Sequence, residues 1–190
     1  QYNVFRLASQ KKIKVMLALP CQDTIKSRTA FSLVHAVKDI KDFEVDMMLR
    51  MGCDIIGSRA WLVREAIKRE ATHLLFVDHD MFFPPHAIKA LVAHDLDIVG
   101  VPYNFRQMPL QSTALPLDKE GTEHPKPEDL PKELFKCKAL GTGFLLIKLS
   151  IFEKIPEPWF QFGRNKEGEL VQGEDTFFCI QAMKAGFTVW

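Results

Sequence analysis

The feature that most constrains this sequence is a short apolar run that ends on two acidic residues. Residues 74–77, Leu-Leu-Phe-Val, have the length and composition of a buried strand. Asp78-His79-Asp80 follows at once, so two carboxylates are separated by a single residue. Because strand side chains alternate between faces, we expect Asp78 and Asp80 on one face, about 6.6 Å apart along the strand.

Two carboxylates placed in this way repel each other unless a positive charge lies between or beside them. A hard divalent cation, which takes oxygen ligands, is the natural candidate. The carboxyl end of a strand is also where α/β folds bind their ligands. The alternative is a strand that ends in a solvated acidic turn, and the tripeptide alone does not decide between the two interpretations.

Strand-like and helix-like segments alternate through the first hundred residues. The pattern predicts strands over 13–19, 43–51, 74–77 and 97–101. It predicts helices over 24–40, from Arg59 to about Glu70 with Ser58 as N-cap, and from Pro84-Pro85 to about His94. Such alternation predicts a three-layer α/β sandwich, Rossmann-like, with a mostly parallel central sheet.

Beyond Pro102 the composition changes. Residues 107–132 are rich in Pro, Glu, Asp and Lys, which predicts a long surface loop and a candidate lid. Sheet-like composition returns over 135–149, a helical turn is predicted over 150–155, and a helix over 176–185 ends at Gly186. A further strand is predicted to begin at 187–190, so we expect this C-terminal part of the sheet to be mixed.

Composition and charge exclude several classes of protein. The 190 residues are 47% hydrophobic and carry a net charge of +1, which indicates one cored domain and no nucleic-acid partner. No apolar stretch approaches the roughly 20 residues needed to span a bilayer, and residues 1–10 lack the apolar core of a signal peptide. The four cysteines are far apart, which favours free thiols and predicts a cytoplasmic location.

Four segments occur in a fixed order along the chain. They are ALPCQDT from Ala18, SRAWLVREAIKREATHLLFVDHDMFFPP from Ser58, GTGFLLIK from Gly141 and GEDTFFCIQAMKAGFTVW from Gly173. Together they resemble nucleotide-sugar glycosyltransferases of the GT-A fold, close to family 2, over nearly the whole chain except 107–132.

The resemblance implies a metal-dependent, hexosyltransferase-type enzyme. Such an enzyme transfers a sugar from a nucleoside-diphosphate sugar to a hydroxyl acceptor, and we favour inversion of the anomeric centre. It also implies a single domain over 1–190, with a nucleotide-binding half over about 1–103 and an acceptor and catalytic half over 104–190.

Within this resemblance, Asp78-His79-Asp80 corresponds to the DxD motif of the family. Asp80 is then expected to ligate Mn²⁺ or Mg²⁺ on the donor diphosphate, while Asp78 assists at the ribose or at a metal-bound water. A cation acting as a Lewis acid on the departing diphosphate contributes several kcal/mol to such a reaction.

Gly173-Glu174-Asp175 resembles the ED-type motif that supplies the catalytic base of inverting members. A base must accept the proton of the acceptor hydroxyl as the new bond forms, and Asp175 ranks above Glu174 for this role. The alternative is that Asp175 is the N-cap of the helix that follows, and one residue can serve both purposes.

The remaining candidates surround the donor and the acceptor. The residues assigned to nucleotide-sugar binding are Pro20, Cys21, Asp23, Arg59, Asp78, His79, Gly141, Thr142 and Gly143. Trp159 and Phe160 are candidates for an apolar platform under the acceptor sugar. The alternatives are a helix cap for Asp23, an exposed helical arginine for Arg59, a turn or bulge for 141–143, and core aromatics for Trp159 and Phe160.

Two rival functions stay open. A nucleotidyltransferase normally carries a Gly-rich, basic loop after its first strand, and LPCQDT has no glycine and no basic pair. A non-catalytic nucleotide- or carbohydrate-binding module would show no metal-dependent hydrolysis of the donor. Family members usually continue past the position of Trp190 with an Asp and a metal-binding His, which puts the full set of metal ligands in doubt. The sugar, the base, the acceptor and the oligomeric state are not predicted.

Overall fold

The computed structural model describes residues 12–121 and 123–190. The segment 1–10, for which no signal peptide is predicted, lies outside the described residues. The strands of the central sheet are β1 (Lys14–Cys21), β2 (Glu44–Met51), β3 (His73–Val77), β4 (Ile98–Gly100) and β7 (Phe144–Lys148). The helices are α1 (Ser27–Lys38), α2 (Ile55–Lys68), α3 (Ala87–Ala93) and α4 (Glu174–Lys184). Two short pairs complete the fold: β5 (Leu115–Pro116) with β6 (Cys137–Ala139), and β8 (Gly163–Arg164) with β9 (Leu170–Gln172).

The central sheet has the order β2-β1-β3-β7-β4. β1 pairs in parallel with β2 and β3, whereas β7 runs antiparallel to both β3 and β4. Four strands therefore point one way and β7 alone is reversed, which confirms a mostly parallel sheet with a mixed C-terminal part. β7, from late in the sequence, inserts between β3 and β4, so these two strands are not neighbours although they are consecutive in the first half.

Helices cover both faces of the sheet because its middle strands are apolar on both sides. Met16 of β1 and Phe76 of β3 face a core that includes Leu62 of α2 and Phe178 of α4. The intervening strand residues face a second core, formed with α1 and α3. This confirms the three-layer α/β architecture. No helix in the part of the chain that the structure describes is both long and apolar enough to cross a membrane.

Three local predictions need correction. Helix α2 begins at Ile55, not at Arg59, because the Asp54 carboxylate caps it by accepting from the Gly57 N–H at 3.1 Å. Ser58 is therefore a buried helical residue rather than a cap. Residues 187–190 form no strand of their own; Val189 makes only isolated bridges to Ile98 and Cys137.

The segment 107–132 is only in part a surface loop. Residues 112–116 are buried, and β5 within them pairs with β6. The small and apolar side chains of Ser112, Thr113, Ala114 and Leu115 allow this burial. The other described residues of the segment, apart from a 3₁₀ turn at Pro127–Asp129, are irregular and largely exposed.

Candidate functional site

Two adjoining depressions lie at the carboxyl ends of the parallel strands. The first is a cleft of about 350 Å³, and five residues predicted for the nucleotide site line it: Pro20, Cys21, Arg59, Asp78 and His79. The second, of about 410 Å³, is lined by residues 103–106, by Met81 and Phe82, and by Asp78 and Asp80. Asp78 lines both depressions, so it marks the place where they meet. Strand ends of this kind are the usual ligand sites of open α/β sheets.

The predicted acidic pair lies in a turn and not in the strand itself. β3 ends at Val77, and the Met81 N–H donates to the carbonyl of Asp78 at 3.2 Å. The strand-based spacing expected for Asp78 and Asp80 therefore does not apply. The carbonyl of His79 accepts from the Lys26 N–H at 2.8 Å and from the Thr29 hydroxyl at 2.9 Å, which holds this turn against the start of α1.

Arg59 connects the two acidic motifs. Its side chain is 5% exposed; one guanidinium nitrogen donates to Asp78 at 3.2 Å and another pairs with the Glu174 carboxylate. The guanidinium also lies over the ring of Phe76, 5.9 Å from its centroid. The alternative of an exposed helical arginine is therefore wrong.

Electrostatics explain how this arginine tolerates burial. Burial alone lowers the pKa of Arg59, but the negative charges of Asp78, Glu174 and Asp175 outweigh it and raise the pKa above its ordinary value. Arg59 thus stays charged and fixes the beginning of α4 beside the end of β3. Its Nε has no hydrogen-bond partner among the described residues.

The two carboxylates of the Gly173-Glu174-Asp175 motif have different surroundings. Gly173 is the N-cap of α4, so the alternative of Asp175 as the N-cap is wrong. Glu174 is engaged by Arg59, whereas the Asp175 carboxylate accepts from the neighbouring Thr176, from its N–H at 2.7 Å and from its hydroxyl at 3.5 Å. Asp175 is thus the carboxylate of the motif that makes no ion pair among the described residues.

Tyr103 belongs to this site, although sequence reasoning missed it. Its hydroxyl accepts from the Gly143 N–H at 3.0 Å, and burial together with the charge of Asp78 raises the pKa of Tyr103, so the phenol stays neutral. Thr142, between the two glycines, is buried. The glycines at 141 and 143 indicate a close approach, but the sequence does not say which side chain approaches them.

We expect Gly143→Ala to destabilise the protein by about 1–3 kcal/mol, the usual cost of overpacking. The new Cβ would lie 2.7 Å from the Tyr103 hydroxyl and 2.9 Å from an Asp78 carboxylate oxygen. Urea unfolding measures the loss. In a Tyr103→Leu background the loss should shrink, since both nearest atoms, the hydroxyl oxygen and the Cζ at 2.8 Å, are gone; equal losses in both backgrounds would contradict the packing argument.

Trp159, Phe160 and Asp23 are among the predicted residues that line neither depression. Trp159 and Phe160 are buried in the core, where Trp159 donates to the Ile155 carbonyl and Phe160 stacks on Phe178 at 5.3 Å. A ring buried in this way has no free face for a sugar. Trp159 and Phe160 are therefore core aromatics, and the prediction of an acceptor platform is wrong for them. Asp23 is exposed and does not line the first cleft, and α1 has no side-chain cap, so Asp23 does not cap that helix either.

The Asp80 carboxylate is the kind of oxygen ligand that a hard cation prefers, but it already pairs with a positively charged side chain. Its side chain is 16% exposed and pairs with the guanidinium of Arg106. Within the described residues, no cluster of three or more His, Cys, Asp or Glu side chains is placed to hold a metal. Mg²⁺, however, is commonly held by one or two carboxylates with water and substrate phosphates. Asp80 with Asp78 fits that smaller donor set.

No protein-family model and no curated protein sequence matches the chain. Among solved structures it is similar to A197 from STIV, with a TM-score of 0.58 and 19% identity over 94% of this chain and 81% of that one. It is also similar to S. aureus TarS 1–349, with a TM-score of 0.51 and 15% identity, covering 90% of this chain and 55% of the other.

A third structure, HddC from Yersinia pseudotuberculosis in complex with GMP-PN, has a TM-score of 0.36 and 14% identity. It covers 77% of this chain and 81% of the other. The first two similarities agree with the architecture described above, a Rossmann-like α/β sandwich.

Proposed function

We propose that this protein transfers a sugar from a nucleoside-diphosphate donor to a hydroxyl acceptor. The observation that carries the proposal is the bridge made by Arg59 between Asp78 and Glu174. It joins the acidic turn after β3 to the start of α4, so that a site for the donor and a carboxylate able to act as base adjoin at one edge of the sheet. If no carboxylate able to act as a base lay beside the donor site, this edge of the sheet would support only a binding module.

The donor is assigned to the first cleft and to Asp78 at its end. Pro20, Cys21 and His79 line this cleft, which is large enough to hold a nucleoside. Asp80 and Asp78 would hold Mn²⁺ or Mg²⁺ on the diphosphate, where the cation supplies Lewis-acid stabilisation of the departing phosphate charge. Arg59 and the turn held against α1 keep Asp78 in place for this role.

The acceptor is assigned to the second depression, in place of Trp159 and Phe160. Phe82 is 65% exposed there, beside Asp80, and Phe105 lines the same space. Apolar rings with a few polar groups are the usual walls of a small-molecule site. Asp175 accepts the proton of the attacking hydroxyl, and direct displacement by that hydroxyl inverts the anomeric centre.

We expect Asp80→Asn to abolish the Mn²⁺ dependence of nucleoside-diphosphate binding. In the wild type, calorimetry with UDP, GDP, ADP and CDP should show at least one ligand bound more than about 10-fold more tightly with Mn²⁺, a change of the size that metal-site mutations produce. In the variant, the affinities with and without Mn²⁺ should be equal.

Asp118→Asn is the matched control, because Asp118 is an exposed acid outside both depressions. It should keep the full Mn²⁺ dependence. A Mn²⁺ dependence that survives in Asp80→Asn would overturn the metal assignment. Wild-type protein that hydrolyses none of a panel of nucleotide sugars, with Mn²⁺ and without an acceptor, would favour a binding module instead.

A further inference from the structure

Arg106 lines the second depression, where it pairs with Asp80 of the proposed diphosphate site, and it belongs to a small, well-anchored loop. The loop begins at Tyr103 and ends at Thr113, whose N–H donates to the Tyr103 carbonyl at 2.7 Å. Above this base, the Phe105 N–H donates to the Gln111 carbonyl at 2.9 Å. Since the Tyr103 hydroxyl also accepts from the Gly143 N–H, the base of the loop is fixed beside Gly143. Residues 106–110, at the tip of the loop, are exposed.

Arg106 and Arg59 each neutralise one carboxylate of the acidic turn, but they do so in different ways. The Arg59 side chain is 5% exposed and is held by two acids. The Arg106 side chain is 72% exposed, and Asp80 is its ion-pair partner among the described residues. The Asp80 carboxylate is only 16% exposed, but the Arg106 guanidinium lies largely in solvent, and holding so exposed a side chain in one position costs entropy. The Arg59 pairs are therefore fixed, whereas the Arg106 pair is easily exchanged.

We propose that Arg106 binds the donor diphosphate and that it pairs with Asp80 only while no diphosphate is bound, an inference that rests on the proposed function. With no donor present, the guanidinium neutralises Asp80 and competes with a cation for its carboxylate. When a cation and a diphosphate bind together, the carboxylate turns to the cation and the guanidinium turns to the phosphate oxygens, which it can bind through two parallel hydrogen bonds.

This exchange couples the binding of the two ligands. A cation alone must displace Arg106 without offering it another partner, so it binds weakly. A diphosphate alone competes with Asp80 for Arg106 and is repelled by the carboxylate. Each ligand removes the obstacle to the other, so each must raise the affinity of the other by the same factor.

Isothermal titration calorimetry with Mn²⁺ and inorganic pyrophosphate, which contains neither base nor sugar, tests the proposal. Arg106→Ala should bind Mn²⁺ alone about 2- to 5-fold more tightly than the wild type, the range expected for loss of an exposed ion pair. The same variant should bind pyrophosphate in the presence of Mn²⁺ about 10-fold less tightly, as expected for a lost charged hydrogen bond. Arg64 lies on the exposed side of α2 and pairs with Glu157. Arg64→Ala removes this exposed ion pair and should change neither the Mn²⁺ affinity nor the pyrophosphate affinity.

A second pair of variants shows whether Asp80 is what restrains Arg106. Asp80→Asn should strengthen pyrophosphate binding without metal, because it releases the guanidinium, and the double variant Asp80→Asn/Arg106→Ala should lose that gain. A gain that persists in the double variant would overturn the proposal, as would Arg106→Ala with wild-type affinity for pyrophosphate and Mn²⁺. If these measurements agree with expectation but no nucleotide sugar is hydrolysed or transferred, the proposed function fails and the diphosphate site stands.

Discussion

Replacing Arg59 with Met is expected to lower the free energy of unfolding by about 3–5 kcal/mol, the usual cost of breaking a buried ion pair from one side. The protein loses stability because Asp78 and Glu174 both lose their ion-pair partner. The side chains of Asp78 and Glu174 are only 26% and 14% exposed, so neither charge is fully hydrated once the guanidinium is gone. Met keeps much of the apolar stem that packs near Phe76, so the loss reports the charge rather than a cavity.

Arg64 provides a matched control on the same helix. It also pairs with an acid, Glu157, but its side chain is 53% exposed and that of Glu157 is 46% exposed. Arg64→Met should therefore cost no more than about 1 kcal/mol. Urea unfolding of both variants measures the difference, and adding Glu174→Gln to Arg59→Met should restore part of the stability. Equal losses for the two single variants would show that the Arg59 bridge has no special structural role.

Local patterns in the sequence predict the strands and the edge of the sheet where the site lies. The apolar run at 74–77 and the acidic residues after it place Asp78 at the carboxyl end of β3. The Gly-Glu-Asp segment before an apolar helical pattern likewise predicts a helix at this place, although α4 begins at Glu174, two residues before the predicted start. These features depend on neighbouring residues alone, which is why they could be predicted without knowledge of the fold.

The features that could not be predicted depend on pairs that are distant in sequence. A charged helical residue is normally assigned to solvent, and Arg59 is buried only because acids 19 and 115 positions away converge on it. Tyr103 reaches Gly143 across 40 positions, and Arg106 reaches Asp80 across 26. The place of β7 between β3 and β4 is equally non-local. Two aromatic residues in succession, Trp159 and Phe160, are compatible with a core or a binding platform until packing decides.

Asp175→Asn is expected to lower the rate of sugar transfer by about 10²- to 10⁴-fold, the usual effect of losing a general base. Donor binding should change little, because Asp175 contacts neither Arg59 nor the proposed cation. Arg59 pairs with Asp78 and Glu174, and the cation is assigned to Asp78 and Asp80. The loss should therefore appear in kcat, with the KM for the donor nearly unchanged, as for an interaction made only in the transition state. Steady-state transfer assays on the donor and acceptor pair found by screening would measure it.

The Asn substitution also separates catalysis from a structural role at the start of α4. Its amide oxygen can still accept from the Thr176 N–H, the contact that Asp175 makes at 2.7 Å. The helix loses only the favourable interaction of a negative charge with its dipole, about 0.3–1 kcal/mol. Glu174→Gln is the counterpart: it weakens the bridge to Arg59 but keeps the Asp175 carboxylate, so it should reduce stability more than kcat. A transfer rate within threefold of the wild type in Asp175→Asn, with Glu174→Gln the slower variant, would move the base from Asp175 to Glu174 and leave Arg59 as the group that positions it.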